Sequence, residues 1–252
     1  FVAEAIARGA SAIGSRTFLG ELGVPQIVLT DPRADLAPLA EHAYGEPTRG
    51  LRVIGVTGTN GKTTTTWLLD EALSSLGARP ALLGTVETRG PGYREPSALT
   101  TPEADAVSRS ARRALDAGAT HLVMEVSSHA LAQGRVEAVT FAVAAFTNLT
   151  QDHLDFHGTM EAYFAAKARL FLELGPGVAI LNVDDARVHG VLRPLSALPP
   201  ATRPRVVTVS RRVGCEADVR PTTVSLGRSG IGLAIETPRG SLCVESPLLG
   251  EH

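Results

Sequence analysis

Lysine is almost missing from this chain. Of its 24 basic residues, 22 are arginine and two are lysine, Lys62 and Lys167. Arginine thus meets nearly every need for positive surface charge. Each lysine is then either a chance occupant of a solvated helix face or a place where a compact, titratable amine is required. Cysteine is equally scarce: Cys215 and Cys243 are too few for a disulfide framework. No apolar run approaches the length that spans a bilayer. The opening stretch FVAEAIARGASAIG lacks the charged, apolar and cleavage regions of a secretory signal. A net charge of −2 excludes the strong positive field of a nucleic-acid or anionic-membrane binder. The expectation is a soluble cytoplasmic protein with reduced thiols, no nucleic-acid partner and no membrane insertion.

What is present is ordinary globular material, 44% hydrophobic and 20% charged over 252 residues. Helical patterns cover 2–9, 34–45, 62–77, 101–118 and 159–174. Thr101 reads as the N-cap of the fourth, with Pro102 at its first position. Apolar strands without alternation lie at 26–30, 51–58, 80–86, 120–127, 141–149 and 177–185. Such strands alternating with amphipathic helices imply a doubly wound, mostly parallel sheet covered on both faces, an α/β fold. LRPLSALPPATRP (192–204) reads as a Pro-rich loop. Beyond it RVVTVS, TVSLG, GIGLAIET and GSLCVES read as a small antiparallel β-section attached to the sheet. GEPTRG (45–50) punctuates the chain and divides a partial N-terminal α/β domain, 1–48, from a central domain, 49–252. With no initiator methionine and an abrupt end at SPLLGEH, the chain is expected to be a piece of something longer.

VIGVTGTNGKTTTT joins a buried strand to a helix. Gly58 and Gly61 permit a tight turn, and backbone N–H groups across Gly58, Thr59, Asn60, Gly61, Lys62, Thr63 and Thr64 would face a phosphate chain at a helix N-terminus. Lys62 would reach the β- and γ-phosphates and the Thr63 hydroxyl would ligate Mg²⁺. The match to G-x-x-x-x-G-K-[ST] is imperfect, because Val56 stands in the first glycine slot. The implied cofactors are ATP and Mg²⁺.

Ligands gather at the carboxyl ends of strands in such a sheet. Glu125 ends HLVME, where a carboxylate suits Mg²⁺ or simply caps a loop. TNLTQDHLDFHG (147–158) collects Asn148, Asp152, His153, Asp155 and His157. The spacing His153-x-x-x-His157 invites zinc, but Leu154 fills the glutamate slot of H-E-x-x-H. His153 as a further metal ligand is the stronger reading, since Lys167 lies one helix away.

GVTGTNGKTTT, LTTPEA, MEVSSHALAQGRV and FTNLTQDHLDFHGTMEAYFAAKARLF together resemble the Mur ligase family, and within it the branch that adds the third residue of the peptidoglycan stem peptide. The resemblance spans nearly the whole chain: 1–48 resembles the later part of a uridine-nucleotide-binding domain, and 49–252 most of the central ATPase domain. It implies that Lys167 is carbamylated (N6-carboxylysine) and, with Thr63, Glu125 and His153, holds Mg²⁺. An amine can form a carbamate once its proton is lost; a guanidinium cannot lose its proton. It further implies that Thr100, Thr101, Ser127, Gln133 and Arg135 contact the muramoyl-peptide substrate. Leu99 departs from the family's usual asparagine, and Ala130 from a common glycine.

The implied reaction is ATP-dependent amide formation through an acyl phosphate, joining diaminopimelate or lysine to UDP-N-acetylmuramoyl-L-alanyl-D-glutamate. Lys62, Lys167 and His153 are the expected catalytic residues, and the protein is expected to act as a monomer. The family's C-terminal ligase domain has no counterpart in this stretch, so the chain alone is expected not to turn over. Other members of the superfamily, folylpolyglutamate or cyanophycin synthetase, share the loop and the modified lysine. A non-catalytic nucleotide-binding module would use the loop but leave His153 and Lys167 without a role.

Overall fold

The structure is a computed structural model that describes residues 1–228 and 230–247. The last five residues, and with them the expected end of the central domain, lie outside the described residues. In chain order the helices are α1 (Val2–Ala7), α2 (Pro32–Ala43), α3 (Lys62–Ser75), α4 (Ala104–Asp116), α5 (Ser128–Ala132), α6 (Leu154–His157), α7 (Met160–Leu172) and α8 (His189–Ala197). The strands are β1 (Ile13–Ser15), β2 (Gln26–Val28), β3 (Arg52–Thr57), β4 (Pro80–Leu83), β5 (Glu87–Gly90), β6 (Tyr93–Pro96), β7 (His121–Glu125), β8 (Phe141–Phe146), β9 (Val178–Asn182), β10 (Arg205–Val209), β11 (Arg220–Gly227), β12 (Gly230–Thr237) and β13 (Gly240–Ser246).

Among the described residues the main sheet has eight strands in the order β10-β9-β8-β3-β7-β4-β5-β6. From β10 to β4 every pairing is parallel, and β5 and β6 add an antiparallel edge hairpin. The central strands are dry on both faces: Val53, Val56, Leu122, Val123, Met124, Ala144 and Leu181 are all fully buried. That explains their continuous apolar spelling. Helix α4 turns Val107, Ala111 and Ala114 inward at i, i+4, i+7. Helix α7 turns in Tyr163, Leu170 and Phe171, and with them Lys167. The α/β class with a mostly parallel sheet is therefore as expected. The strands β11–β13 form a separate antiparallel meander, and β1 pairs with β2 in a small parallel sheet.

Several expectations are corrected. RVVTVS is not antiparallel: as β10 it runs parallel to β9 at the edge of the main sheet. A short β-branched run spells the same in either setting. Residues 192–197 of the supposed loop are helical despite Pro194, because Val191 and Leu195 bury completely in the core. Thr101 is not a helix cap. Helix α4 starts at Ala104 after Glu103, and Thr101 is buried, donating to the Glu125 carbonyl oxygen at 2.8 Å and accepting from Ser127 N–H at 3.0 Å. The strand expected over 80–86 stops at Leu83, where the chain bends so that Thr85 N–H meets Glu125 Oε1 at 2.8 Å.

A buried carboxylate joins the first part of the chain to the rest. Glu41, on α2, accepts from Thr48 N–H (2.9 Å) and Thr48 Oγ1 (2.6 Å) in the 3-10 turn Pro47–Gly50. Its other oxygen accepts from Ser108 Oγ on α4 at 2.7 Å, and Thr48 Oγ1 also accepts from Thr140 N–H at 3.2 Å. Among the described residues no helix is long and apolar enough to cross a membrane.

Candidate active site

The loop between β3 and α3 sits at the carboxyl edge of the sheet, where β3 lies between β7 and β8. Gly58 holds φ 148, and a Cβ there would meet Thr147 Oγ1 at 1.9 Å, so only glycine fits. Gly61 occupies the N-cap of α3 at φ 83, and no side chain caps the helix. The N–H groups of the first turn of α3 are therefore left to an outside acceptor. The loop's other half is committed: Thr59 N–H donates to the Asn148 carbonyl oxygen (2.8 Å), and Asn60 N–H to Asn148 Oδ1 (3.0 Å). Of the seven loop residues expected at phosphate, Thr59 and Asn60 thus have their N–H groups turned toward Asn148, just past β8, instead.

Both lysines of the chain converge on one carbonyl. Lys62 Nζ donates to Gly58 O at 3.0 Å and to Thr59 O at 2.9 Å, while Lys167 Nζ donates to Gly58 O at 2.8 Å. Lys167 is 1% exposed and its amine lies 4.5 Å from the centroid of the Tyr163 ring. Burial first, and the Lys62 ammonium second, pull the Lys167 pKa down to about 7. Burial also lowers the Lys62 pKa, against the opposing pull of Glu125 and Asp152. Two cations this close favour loss of one proton, and Lys167 is the deeper of the two.

Glu125 ends β7 fully buried. Its Oε2 accepts from Thr63 Oγ1 at 3.0 Å and from Thr85 Oγ1 at 3.1 Å. Gly84 makes room for this carboxylate, because a Cβ there would lie 2.7 Å from Oε1. Thr63 and Glu125 thus place hard oxygen donors side by side, the chemistry Mg²⁺ takes. Among the described residues no group of three or more His, Cys, Asp or Glu side chains could hold a metal by itself. A Mg²⁺ here would draw its other ligands from phosphate and water.

His153 opens α6 in a left-handed conformation, φ 50, with its N–H bound to Asp152 Oδ1 at 2.8 Å. Its ring packs edge-on against His129 (4.8 Å between centroids) and toward Tyr163 (6.1 Å). His157 is bonded to buried Ser128 Oγ at 3.0 Å. Burial, then neighbouring positive groups, lower the pKa of both His129 and His157. A second group lies beside Glu125. Thr100 Oγ1 lies 3.1 Å from Thr85 Oγ1, and Ser127 caps α5 by accepting from Ala130 N–H at 3.2 Å. Arg135 donates to Gln133 Oε1 (2.6 Å) and Thr101 O (2.9 Å) and pairs with Glu103 at 2.8 Å. Sequence reasoning missed Thr85, His129 and Tyr163; only the position of Thr85 just past a strand end could have pointed to it. Beside the loop opens a cavity of about 770 Å³, lined among others by Asn60, Gly61, Thr65, Asn148, Asp184 and Asp185.

Comparison with known proteins gives a consistent answer. Residues 56–252 match the Mur ligase middle domain. A UDP-N-acetylmuramoyl-L-alanyl-D-glutamate--2,6-diaminopimelate ligase of Synechococcus elongatus is 46% identical over 100% of this chain and 50% of its own length. The enzyme of that name from Geobacillus kaustophilus is 42% identical over 99% of this chain and 50% of its own. A solved structure of a ligase with the same name superposes with a TM-score of 0.84 at 34% identity, covering 98% of this chain and 50% of that one. The chain spans about half the length of the curated relatives it matches.

Proposed function

This chain belongs to the Mur ligase family, and from that premise we propose that it supplies the ATP-handling part of a ligase that joins 2,6-diaminopimelate to UDP-N-acetylmuramoyl-L-alanyl-D-glutamate in peptidoglycan synthesis. The choice of diaminopimelate follows the names of the relatives. The observation that carries the reading is the meeting of the two lysines on Gly58 O beside the Thr63–Glu125 pair.

In this reading the first-turn N–H groups of α3 cradle the β- and γ-phosphates, and Lys62 swings from its loop carbonyls onto them. Thr63 and Glu125 would hold Mg²⁺, which would neutralise phosphate charge. Lys167, buried and readily neutral, takes up CO₂: its nitrogen forms the new N–C bond, one proton leaves, and the product is a carbamate anion. That anion and His153 would hold a second Mg²⁺. The D-glutamyl carboxylate of the substrate, set by Thr100, Thr101, Ser127, Gln133 and Arg135, attacks the γ-phosphorus. ADP leaves and an acyl phosphate remains. The amine of the incoming amino acid then attacks the acyl carbon, phosphate departs, and the amine's proton is released. The protein's part is chiefly orientation and charge neutralisation, which can supply most of such a rate enhancement. We assign residues 1–48 to the uridine-nucleotide-binding domain and 49–252 to the ATPase domain of a monomeric enzyme working in the cytoplasm, where ATP is available.

The test is a full-length enzyme assayed for ADP release with the UDP-linked dipeptide and diaminopimelate. Replacing Lys167→Ala is expected to abolish turnover, and short carboxylic acids to restore part of it. Unchanged activity in the variant would remove the assignment.

A further inference from the structure

Asn148 is a member of the 147–158 loop to which the proposed reaction gives no role, yet it makes three hydrogen bonds to the phosphate loop. Its side chain treats Asn60 as a neighbouring strand would. Oδ1 accepts from Asn60 N–H at 3.0 Å, and Nδ2 donates to Asn60 O at 3.1 Å. Its own carbonyl oxygen accepts from Thr59 N–H at 2.8 Å. The residues around it extend the seam. Thr147 N–H donates to Thr57 O (3.0 Å), Thr147 Oγ1 to Asn60 O (2.7 Å), and Thr150 N–H to Thr59 Oγ1 (3.0 Å). The seam is anchored by the end of β9 and the turn after it: Asn182 Nδ2 donates to Thr147 O at 2.6 Å, and Leu149 N–H to Asp185 Oδ2 at 2.5 Å.

This arrangement divides the loop in two. Thr57 O, Thr59 N–H and both main-chain groups of Asn60 are tied to the 147–150 segment, whereas the first turn of α3 has no capping side chain. Regular parallel pairing of β3 with β8 ends at Thr57–Phe146, and beyond it the main chains add only the bonds from Thr147 N–H to Thr57 O and from Thr59 N–H to Asn148 O. A side-chain amide takes over, presenting one donor and one acceptor at the spacing of a peptide group.

We propose that Asn148 is a positioning residue that keeps the phosphate loop preformed, continuing the sheet by one side-chain rung and turning the first-turn N–H groups of α3 outward to the nucleotide phosphates. The proposal rests on the ATP-handling reading above. It concerns a residue that touches the loop from behind, and its effect on the nucleotide is indirect.

The experiment uses this chain with three measurements on wild type, Asn148→Ala and Asn148→Asp: amide hydrogen exchange at Asn60 without nucleotide, calorimetric titration with MgATP, and thermal unfolding. Loss of two hydrogen bonds of ordinary strength corresponds to about a tenfold change in an equilibrium constant. Asn148→Ala is expected to speed exchange at Asn60 about tenfold and weaken ATP binding about tenfold, while exchange at Ala144, inside β8, stays as in wild type. Asn148→Asp keeps the acceptor for Asn60 N–H but faces Asn60 O with a second oxygen. It is expected to restore protection at Asn60 without restoring affinity. A purely structural residue would instead speed exchange at Ala144 and Asn60 alike. Wild-type exchange and wild-type affinity in Asn148→Ala would overturn the proposal and leave the ATP reading standing. A wild-type chain that binds no ATP would overturn the ATP reading itself; the exchange measurement needs no nucleotide, so the two failures are distinguishable. Should Asn148→Ala not fold, Asn148→Asp alone decides, since loss of Asn60 protection there contradicts the acceptor role.

Discussion

The carboxyl edge of the main sheet and the meander β11–β13 are built on opposite principles. At the edge, charged side chains are sealed in: Glu125 is 0% and Lys167 1% exposed, each bonded to groups from other segments. In the meander, apolar side chains are left out: Leu226 is 51% and Leu242 43% exposed. Sealing an ion in protein is unfavourable unless partners meet it, so each ion at the edge must be fixed by several distant segments at once. Exposed leucines in a sheet demand nothing of their neighbours. The difference teaches where substitution is felt: strongly and at a distance at the edge, weakly and locally in the meander.

The sharpest way to break the edge is Gly58→Ala. The new methyl would overlap Thr147 Oγ1 and the backbone of Asn148, so the loop must move. Displacement of this order typically reduces function about 100-fold; isothermal titration with MgATP should show a loss of that size. Next comes Glu125→Ala, which strands the Thr63 hydroxyl and Thr85 N–H. Urea unfolding should register about 3 kcal/mol of destabilisation. If it registers none, burial at this edge is not what fixes it.

Lys167→Met gives a subtler result because its sign depends on pH. The Lys167 pKa in the folded chain is about 7, below the ordinary 10.5. Between those values the unfolded chain binds a proton that the native chain does not. Wild-type stability therefore rises with pH through this window, while below pH 7 the burial penalty is felt in full. In CO₂-free buffer the methionine variant is expected to be more stable than wild type at pH 6. That advantage should shrink by about 1 kcal/mol per pH unit above 7. A difference constant from pH 6 to pH 9 would contradict the lowered pKa. The smallest effect is expected in the meander: Leu226→Ser should change stability by less than about 0.5 kcal/mol. A larger change would show that this sheet is packed more like the edge than its exposure implies.

Much of this was legible in the residues. Buried parallel strands are spelled as unbroken apolar runs, and the glycine-rich loop carries its own backbone requirements, so the succession of β3, β4, β7, β8 and β9 along the chain could be read in advance, while their order within the sheet and the place of β10 could not. Harder to read was whatever depends on a partner distant in sequence. The β5–β6 hairpin is polar in spelling and is held by the Arg89–Asp70 ion pair and by Arg113 over the Tyr93 ring, 3.8 Å from its centroid. Thr101 looks like a cap because it precedes proline; its actual partners, Glu125 O and Ser127 N–H, come from the end of another strand. The rarity of lysine did single out Lys62 and Lys167, but nothing in a linear string says that both would reach the same oxygen.

The clasp made by Glu41 fastens a stretch that looks like a joint in the sequence. One carboxylate ties α2, the 3-10 turn and α4 together by hydrogen bonds, beside the main sheet. Within the Gly- and Pro-containing stretch 45–50, Thr48 is the fastening point, bonded to Glu41 on one side and accepting from Thr140 N–H on the other.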